Sequence, residues 1–233
     1  MQTTRSPKPI AVIPARGGSK RVPRKNLRHF AGQPMIAYAI QAALDAGVFS
    51  QILVSTDDEE IASVARAEGA EVPFMRPAHL ADDHTPTVPV IEHAVNALAL
   101  TDDTPVCCIY PAVPLLQPSD LATALSLLRS ASPEYVFPVV AYPSPIQRAL
   151  VRDTEGGTRP LQPEHMQTRT QDLTPAFFDA GQFYWGLAST WRAGLSIHGH
   201  ARTLVIPEWR GIDIDTPDDW VRAEALYRVF AGP

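Results

Sequence analysis

Short apolar runs alternate with helical patterns along the first 141 residues, and no other feature restricts the possible folds of this chain as strongly. Residues 10–13 are four apolar, partly β-branched positions and read as a buried strand. Pro34 opens a helix with Ile36, Ile40, Ala43 and Leu44 on one face, and Gly47 is its natural stop. Residues 51–55 form the second strand. Thr56 or Asp57 is placed to cap the next helix, in which Ile61, Val64 and Ala65 share a face and which Gly69 ends. A short strand at 71–74, a helix at 88–100 and a strand at 106–110 follow. A helix starting at Pro118-Ser119-Asp120 and a strand at 135–141 complete the series. Repeated βα units of this length predict an α/β fold whose mainly parallel sheet carries helices on both faces. In such sheets ligands sit beyond the carboxyl ends of the strands.

The alternation stops between 143 and about 180. This stretch is rich in Pro, Gly and polar residues, including Glu155-Gly156-Gly157 and Gln167-Thr168-Arg169-Thr170-Gln171. A structureless loop of that length does not suit a compact domain, so the segment reads as a small excursion with its own role. Strand patterns return at 182–187 and 203–206. The last helix follows Asp213-Ile214-Asp215, with Thr216 as N-cap and Pro217 as first residue; Trp220, Ala223, Tyr227 and Phe230 are expected to form its buried stripe. The 233 residues suit a single domain spanning 1–233, with 143–180 inserted.

Charge is unevenly placed. Residues 16–28 hold six of the 20 Lys and Arg and no acid, in a chain of net charge −5. This basic stretch contains Arg16, Gly17, Gly18, Ser19, Lys20, Lys25 and Asn26 and begins where the first strand ends. Paired glycines let backbone N–H groups approach an anion closely, and the cations neutralise it, so the loop suits a nucleoside triphosphate. It matches neither the dinucleotide G-x-G-x-x-G nor the P-loop pattern. The overall acidity argues against a nucleic-acid partner.

Asp213 and Asp215 alternate in an extended segment, which places both carboxylates on one face. Their repulsion calls for a cation, and Mg²⁺ with one or two carboxylates plus phosphate oxygens would supply it. Asp57 and Asp58 fit loop and cap structure better. In the 76–87 loop, Arg76 can meet a phosphate, a base or a sugar carboxylate, while Asp83, Thr85 and Thr87 can bind hydroxyls or cap the next helix. The seven histidines show no zinc spacing. Cys107 and Cys108 are adjacent in a strand and point to opposite faces, as expected of two buried thiols in a reducing cytoplasm. The N-terminal nine residues lack the apolar core of a signal peptide, and no run has the length of a membrane span. On residues alone, the chain suits either a nucleotidyltransferase or a catalytically silent nucleotide- or anion-binding module.

In this arrangement the chain resembles the CMP-sugar synthetases of the N-acylneuraminate cytidylyltransferase family over almost its whole length. The resemblance is carried by Ala15-Arg16-Gly17-Gly18-Ser19-Lys20 with Lys25-Asn26, by 55–62, by the Arg76-Pro77 to Asp83 loop and by Asp213-Ile214-Asp215, in family order. Residues 70–77, 107–110 and 178–185 look most like the pseudaminate-activating branch. Pro111-Ala112-Val113-Pro114 and Pro114-Leu115-Leu116-Gln117 depart from the patterns in which that family places a Thr or an Arg, so no sugar contact is carried over there.

The resemblance implies a Rossmann-like nucleotide-diphospho-sugar transferase fold and CMP transfer from CTP to the anomeric hydroxyl of a nonulosonic acid. The sugar is expected to be pseudaminic acid, with sialate or legionaminate as alternatives. It further implies Lys25 at the α-phosphate, Arg16 and Lys20 at the other phosphates, and Asn26 at phosphate or ribose. Arg76 and Thr85 fall in its nucleotide site, Asp213 and Asp215 at Mg²⁺, and Gln182 and Tyr184 in the sugar pocket. A cytoplasmic homodimer joined through 143–180 is expected by the same resemblance.

Overall fold

The computed structural model describes residues 7–230. β1 (Ile10–Pro14) is followed by a two-strand ribbon, β2 (His29–Phe30) and β3 (Gln33–Pro34), and by α1 (Met35–Ala46). Then come β4 (Gln51–Ser55), α2 (Glu59–Ala67), α3 (Thr87–Ala97), β5 (Pro105–Ile109), α4 (Pro118–Ala131) and β6 (Tyr135–Ala141). A hairpin of β7 (Leu150–Arg152) and β8 (Thr158–Pro160) precedes β9 (Phe177–Asp179) and β10 (Phe183–Leu187). The chain ends with α5 (Ala188–Arg192), β11 (Ala201–Val205) and α6 (Pro217–Phe230).

The main sheet has seven strands in the order β11-β6-β10-β5-β1-β4, with β9 added beside β6. β4, β1 and β5 run parallel, and β11 pairs parallel to β6, while β10 and β9 are antiparallel to their neighbours. The mainly parallel α/β architecture expected from the alternation is therefore present.

β1 shows why. Its successive side chains go to opposite faces. Ala11 and Ile13 join α1, α2 and α4 in one core layer, and Ile10 and Val12 join α3 and α5 in the other. A strand buried on both faces has no polar alternation to show. From β1 the chain moves to β4 on one side and then to β5 on the other. This reversal is a topological switch point, where α/β sheets open a crevice beyond their strand ends.

A third apolar cluster lies at that end of the sheet. Val22 of the basic loop, Phe30, Met35, Leu115, Ile212, Ile214 and Trp220 share it. Burial of Val22 with Ile212 and Ile214 brings the start and the end of the chain together.

Several local expectations change. The strand expected at 71–74 is reduced to isolated bridges, Leu53 with Glu71 and Thr56 with Met75; Pro73 between them removes a ladder donor. α2 is capped by Asp58, whose carboxylate accepts from the N–H groups of Glu60 and Ile61, and not by Thr56 or Asp57. α3 has Pro86 at its cap with no side-chain bond, so neither Asp83 nor Thr85 caps it. Leu44 and Phe230 are exposed, the latter stacked on Trp209. The excursion ends earlier than 180, because β9 already pairs with β6. The cap at Thr216 forms as expected, its hydroxyl accepting from the Asp219 N–H at 3.2 Å.

Candidate active site

A cleft of about 610 Å³ opens at the switch point. Its cationic wall is the loop after β1, which contributes Arg16, Ser19, Lys20, Arg21, Lys25 and Asn26. Arg76, Thr85 and Tyr110 line it from the neighbouring loops, and Asp213 and Asp215 face it from the segment before α6.

The basic loop is shaped by its neighbours after β4. The Gly17 N–H donates to Asp57 at 3.0 Å, and a Cβ on Gly17 would lie 2.6 Å from the Asp58 carboxylate. That contact is why glycine is needed there. It also means that the Gly17 N–H is committed to Asp57 and is not presented to an anion, in contrast to the expectation for the paired glycines. At Gly18 a Cβ would meet nothing within 4 Å, so packing within the chain does not demand glycine.

Arg24, with φ 54°, sits in the left-handed region and is held by Asp58 at 2.6 Å and by Glu60. Its strained turn sets the direction of Lys25 and Asn26, which follow directly. Asn26 is buried and donates to the Arg16 carbonyl at 3.0 Å, tying the two ends of the loop together.

The charges of the two walls answer one another. Arg16 pairs with Asp83 at 2.6 Å and donates to the Asp82 carbonyl at 2.7 Å, and Lys20 also pairs with Asp83. Those two cations hold the Asp83 carboxyl below the usual range, Lys20 more than Arg16. Across the cleft, Arg21 pairs with Asp215 at 2.7 Å, and Lys25 reaches the same carboxylate at 3.5 Å. Lys25 also donates to the Ile214 carbonyl at 2.6 Å, so it bridges the loop and the segment between the two aspartates.

Asp213 has no ion-pair partner within 4 Å among the described residues. Asp213 is exposed as a residue, yet partial loss of solvation at the cleft wall, and then repulsion by Asp215, push its carboxyl up, while Lys25 and Arg21 pull it down.

Arg76 is the most buried charge in the cleft, at 6% exposure. Its guanidinium donates to the Ser55 hydroxyl at 3.1 Å and to the Ser55 carbonyl, and burial lowers its pKa to about 10. It stays charged at neutral pH with no carboxylate within ion-pair distance among the described residues. A buried cation without a counterion suits an anionic or strongly polar ligand. Thr85 is held by Asp82, which accepts from its N–H and its hydroxyl at 2.7 Å each.

Nine of the residues expected from sequence therefore meet in one cleft: Arg16, Ser19, Lys20, Lys25, Asn26, Arg76, Thr85, Asp213 and Asp215. Gly17, Gly18, Gln182 and Tyr184 do not line it. Tyr184 donates to Asp179 at 2.9 Å in the core behind Tyr110, their ring centroids 5.3 Å apart. Gln182 lies just before β10, its amide nitrogen on the Arg210 carbonyl at 2.6 Å. Both fall in the strand pattern read at 182–187, in which residues two apart share a face, but β10 begins only at Phe183 and they enter different surroundings.

Sequence reasoning did not assign Arg21 or Tyr110, whereas Thr87, offered as a hydroxyl binder or cap, does line the cleft. Tyr110 follows the carboxyl end of the switch-point strand β5, which was the available signal, and its hydroxyl meets that of Thr87 at 2.8 Å. Arg21 carried no signal beyond its place in the basic run. Among the described residues no group of three or more His, Cys, Asp or Glu is arranged to hold a metal, so any metal here would rest on the Asp213–Asp215 pair. The two cysteines are buried and free, as expected.

The sequence profile of the family described as cytidylyltransferase matches residues 10–174. A pseudaminic acid cytidylyltransferase of Campylobacter jejuni (strain 81-176) is 38% identical over 225 residues, covering 95% of this chain and 97% of that protein. A CMP-N,N'-diacetyllegionaminic acid synthase of Legionella pneumophila is 32% identical over 230 residues, covering 93% of this chain and 95% of its own. Among solved structures, CMP:2-keto-3-deoxy-manno-octonic acid synthetase complexed with CTP has a TM-score of 0.72 at 20% identity, over 95% of this chain and 99% of that one, a likeness of fold. With the switch-point cleft and its cationic first loop in place, the profile match over most of the chain and the full-length relatives show that this protein belongs to the cytidylyltransferase family.

Proposed function

We propose that the enzyme transfers CMP from CTP to the anomeric hydroxyl of pseudaminic acid, releasing pyrophosphate. The observation that carries this reading is the meeting of Arg16, Lys20 and Lys25 with Asp213 and Asp215 in one cleft. It does so in a chain 38% identical, over 95% of its length, to an enzyme named for that sugar.

In this reading the anomeric oxygen bonds to the α-phosphorus, the bond from that phosphorus to its bridging oxygen breaks, and the hydroxyl proton leaves to solvent. Such chemistry depends on positioning and on stabilising charge. Lys25, fixed by the Ile214 carbonyl and the Asp215 carboxylate, meets charge growing on the α-phosphate. Arg16 and Lys20 exchange Asp83 for the outer phosphates. Arg76 and Thr85 receive the nucleoside end, and Asn26 keeps the loop in shape.

The carboxylate pair fits a hard divalent cation. Asp213 is raised partly by repulsion from Asp215, and that repulsion falls when both share a cation. Mg²⁺ is the ion proposed, with Asp213 and Asp215 as its protein ligands. When bound it would neutralise phosphate charge and favour departure of pyrophosphate. Tyr184 contributes to the sugar end by backing Tyr110.

A homodimer joined through the 143–180 excursion belongs to the same proposal. Ile146, Leu150, Leu161 and Met166 are exposed on that segment, which supports an apolar contact with a second copy. The reaction is assigned to the cytoplasm, where CTP is available; among the described residues no helix is long and apolar enough to cross a membrane.

The test is pyrophosphate release by purified protein with CTP and Mg²⁺ across a panel of nonulosonic acids. Release with pseudaminate is expected. Release with sialate or legionaminate alone would replace the sugar, and no release with any acid would favour a silent binding module.

A further inference from the structure

We infer that Asp120, Gln182 and Arg210 form a buried positioning network whose task is to aim Asp213 and Asp215; the inference rests on the metal role proposed for that pair. Arg210 is only 9% exposed, and its guanidinium is paired with the carboxylate of Asp120 in the first turn of α4. Gln182 is 2% exposed and donates its amide nitrogen to the Arg210 carbonyl at 2.6 Å. One residue further on, a Cβ on Gly211 would lie 2.4 Å from Val140, so the chain is pressed against β6 there. Ile212 and Ile214 are then buried in the apolar cluster that also holds Val22 and Trp220.

Beyond the aspartates a second anchor takes over. Asp219 accepts from the N–H of Asp215 at 3.2 Å, and from the N–H and hydroxyl of Thr216 at 2.8 and 2.7 Å. Asp213 and Asp215 therefore hang between two fixed points, with only their side chains free to face the cleft.

Stability alone does not call for this network. A buried ion pair is often no better than apolar groups of the same size. The Gln182 Oε1 is buried with no hydrogen-bond partner among the described residues. An orphaned acceptor is a cost to folding that Met or Leu would not carry. What the polar set does provide is a fixed backbone direction at Arg210, three residues before Asp213. Outer-shell groups of this kind typically change metal affinity about 10–100-fold when removed.

The experiment compares wild type, Gln182→Met and the double variant Asp120→Leu/Arg210→Met. It measures Mn²⁺ affinity by electron paramagnetic resonance with a non-hydrolysable CTP analogue bound, analogue affinity without metal, and melting temperature. The inference expects Mn²⁺ binding to weaken about 10–100-fold in folded variants, with metal-free analogue affinity unchanged. Unchanged Mn²⁺ affinity in a folded variant, or an equal loss of metal-free analogue binding, overturns it. If the double variant does not fold, Gln182→Met decides, since it removes one hydrogen bond and the orphaned acceptor at nearly constant volume.

Asp213→Asn and Asp215→Asn separate the two levels. If they abolish Mn²⁺ binding while the network variants leave it intact, only the positioning role fails. If Mn²⁺ binding survives both, the metal reading falls and takes the positioning role with it.

Discussion

The outer cations of one cleft wall, Lys20 and Arg21, are paired at the surface, whereas the carboxylate wall, residues 210–219, is anchored from the interior by a buried ion pair. The Lys20 and Arg21 side chains are 80% and 70% exposed, although each touches a carboxylate. Arg210 and Asp120, which anchor the other wall, have side chains 10% and 13% exposed. Exposed pairs contribute little to stability and are screened by salt. They can be traded for phosphate oxygens at small cost. A buried network resists rearrangement, which suits the wall proposed to keep a metal in one place. Each wall thus already pairs a carboxylate with cations, Asp83 with Arg16 and Lys20, and Asp215 with Arg21 and Lys25, and the cations remain in excess. In the proposed function, metal and triphosphate would bind by exchanging these counterions.

The strongest way to break this contrast is Lys25→Ala, because Lys25 belongs to both walls. Turnover should fall about 10²–10³-fold, as when a single stabilising donor is removed from a transition state. Steady-state pyrophosphate release measures it, with circular dichroism to verify the fold; a loss under threefold would remove Lys25 from the chemistry.

Asp215→Asn sharpens the carboxylate side. The Asp213 carboxyl is raised first by loss of solvation and second by Asp215. Removing the Asp215 charge should therefore lower the Asp213 titration midpoint without returning it fully to the ordinary range. Carbon-13 NMR of the carboxyl reads this directly, and an unchanged midpoint would contradict the coupling. Metal binding needs the ionised form, so wild-type activity should decline on the acid side at a higher pH than an ordinary carboxylate would give. Turnover of the variant should drop at least about tenfold through the lost ligand.

Asp83→Asn tests exchange on the cationic side, and its sign is the informative part. With its carboxylate competitor neutralised, the Arg16 and Lys20 pair should take CTP more tightly, lowering KM about twofold to fivefold, the scale of an exposed pair. Raising ionic strength should shrink the difference. A higher KM would mean that Asp83 orders the loop and does not compete for it.

The smallest effect is expected from Asp58→Ala. It removes the α2 cap as well as one of the two carboxylates on Arg24, and the lost cap should cost about 1 kcal/mol, read by denaturant melts. Burial pushes the Asp58 carboxyl up, but the Ile61 N–H and Arg24 outweigh it and hold the carboxyl below the usual range. A lowered folded pKa contributes stability above the unfolded value that is lost as pH falls through the folded one. The gap between wild type and variant should therefore close in acid.

Much of the fold was legible because its signals are local. β6 has the expected bounds, α4 and β4 begin where expected, and Gly47 ends α1 with φ 62°. The 71–74 stretch misled because its apolar pattern looks like a strand, and only the missing Pro73 donor decides otherwise. The cap of α2 moved by one residue because Asp57 and Asp58 are equally suited on type, and Asp57 is drawn to the Gly17 N–H. Gln182 and Tyr184 misled for a related reason. Alternation puts strand residues two apart on one face, but it holds only while both lie in the strand.

Sequence by itself determined the class of sheet, the position of the cationic loop at the end of β1 and the pairing of two carboxylates around Ile214. These follow from periodicity, from glycine and proline chemistry and from charge counted along the chain. Only the tertiary structure decided that residues some 190 positions apart share one cleft, as the Lys25 bond to the Ile214 carbonyl shows. It also decided that Asp83 and Arg21 occupy the site's own charges, and that Gln182 serves the carboxylates from behind. Those outcomes depend on burial of Val22 with Ile212 and Ile214, a contact between distant segments that no local pattern encodes.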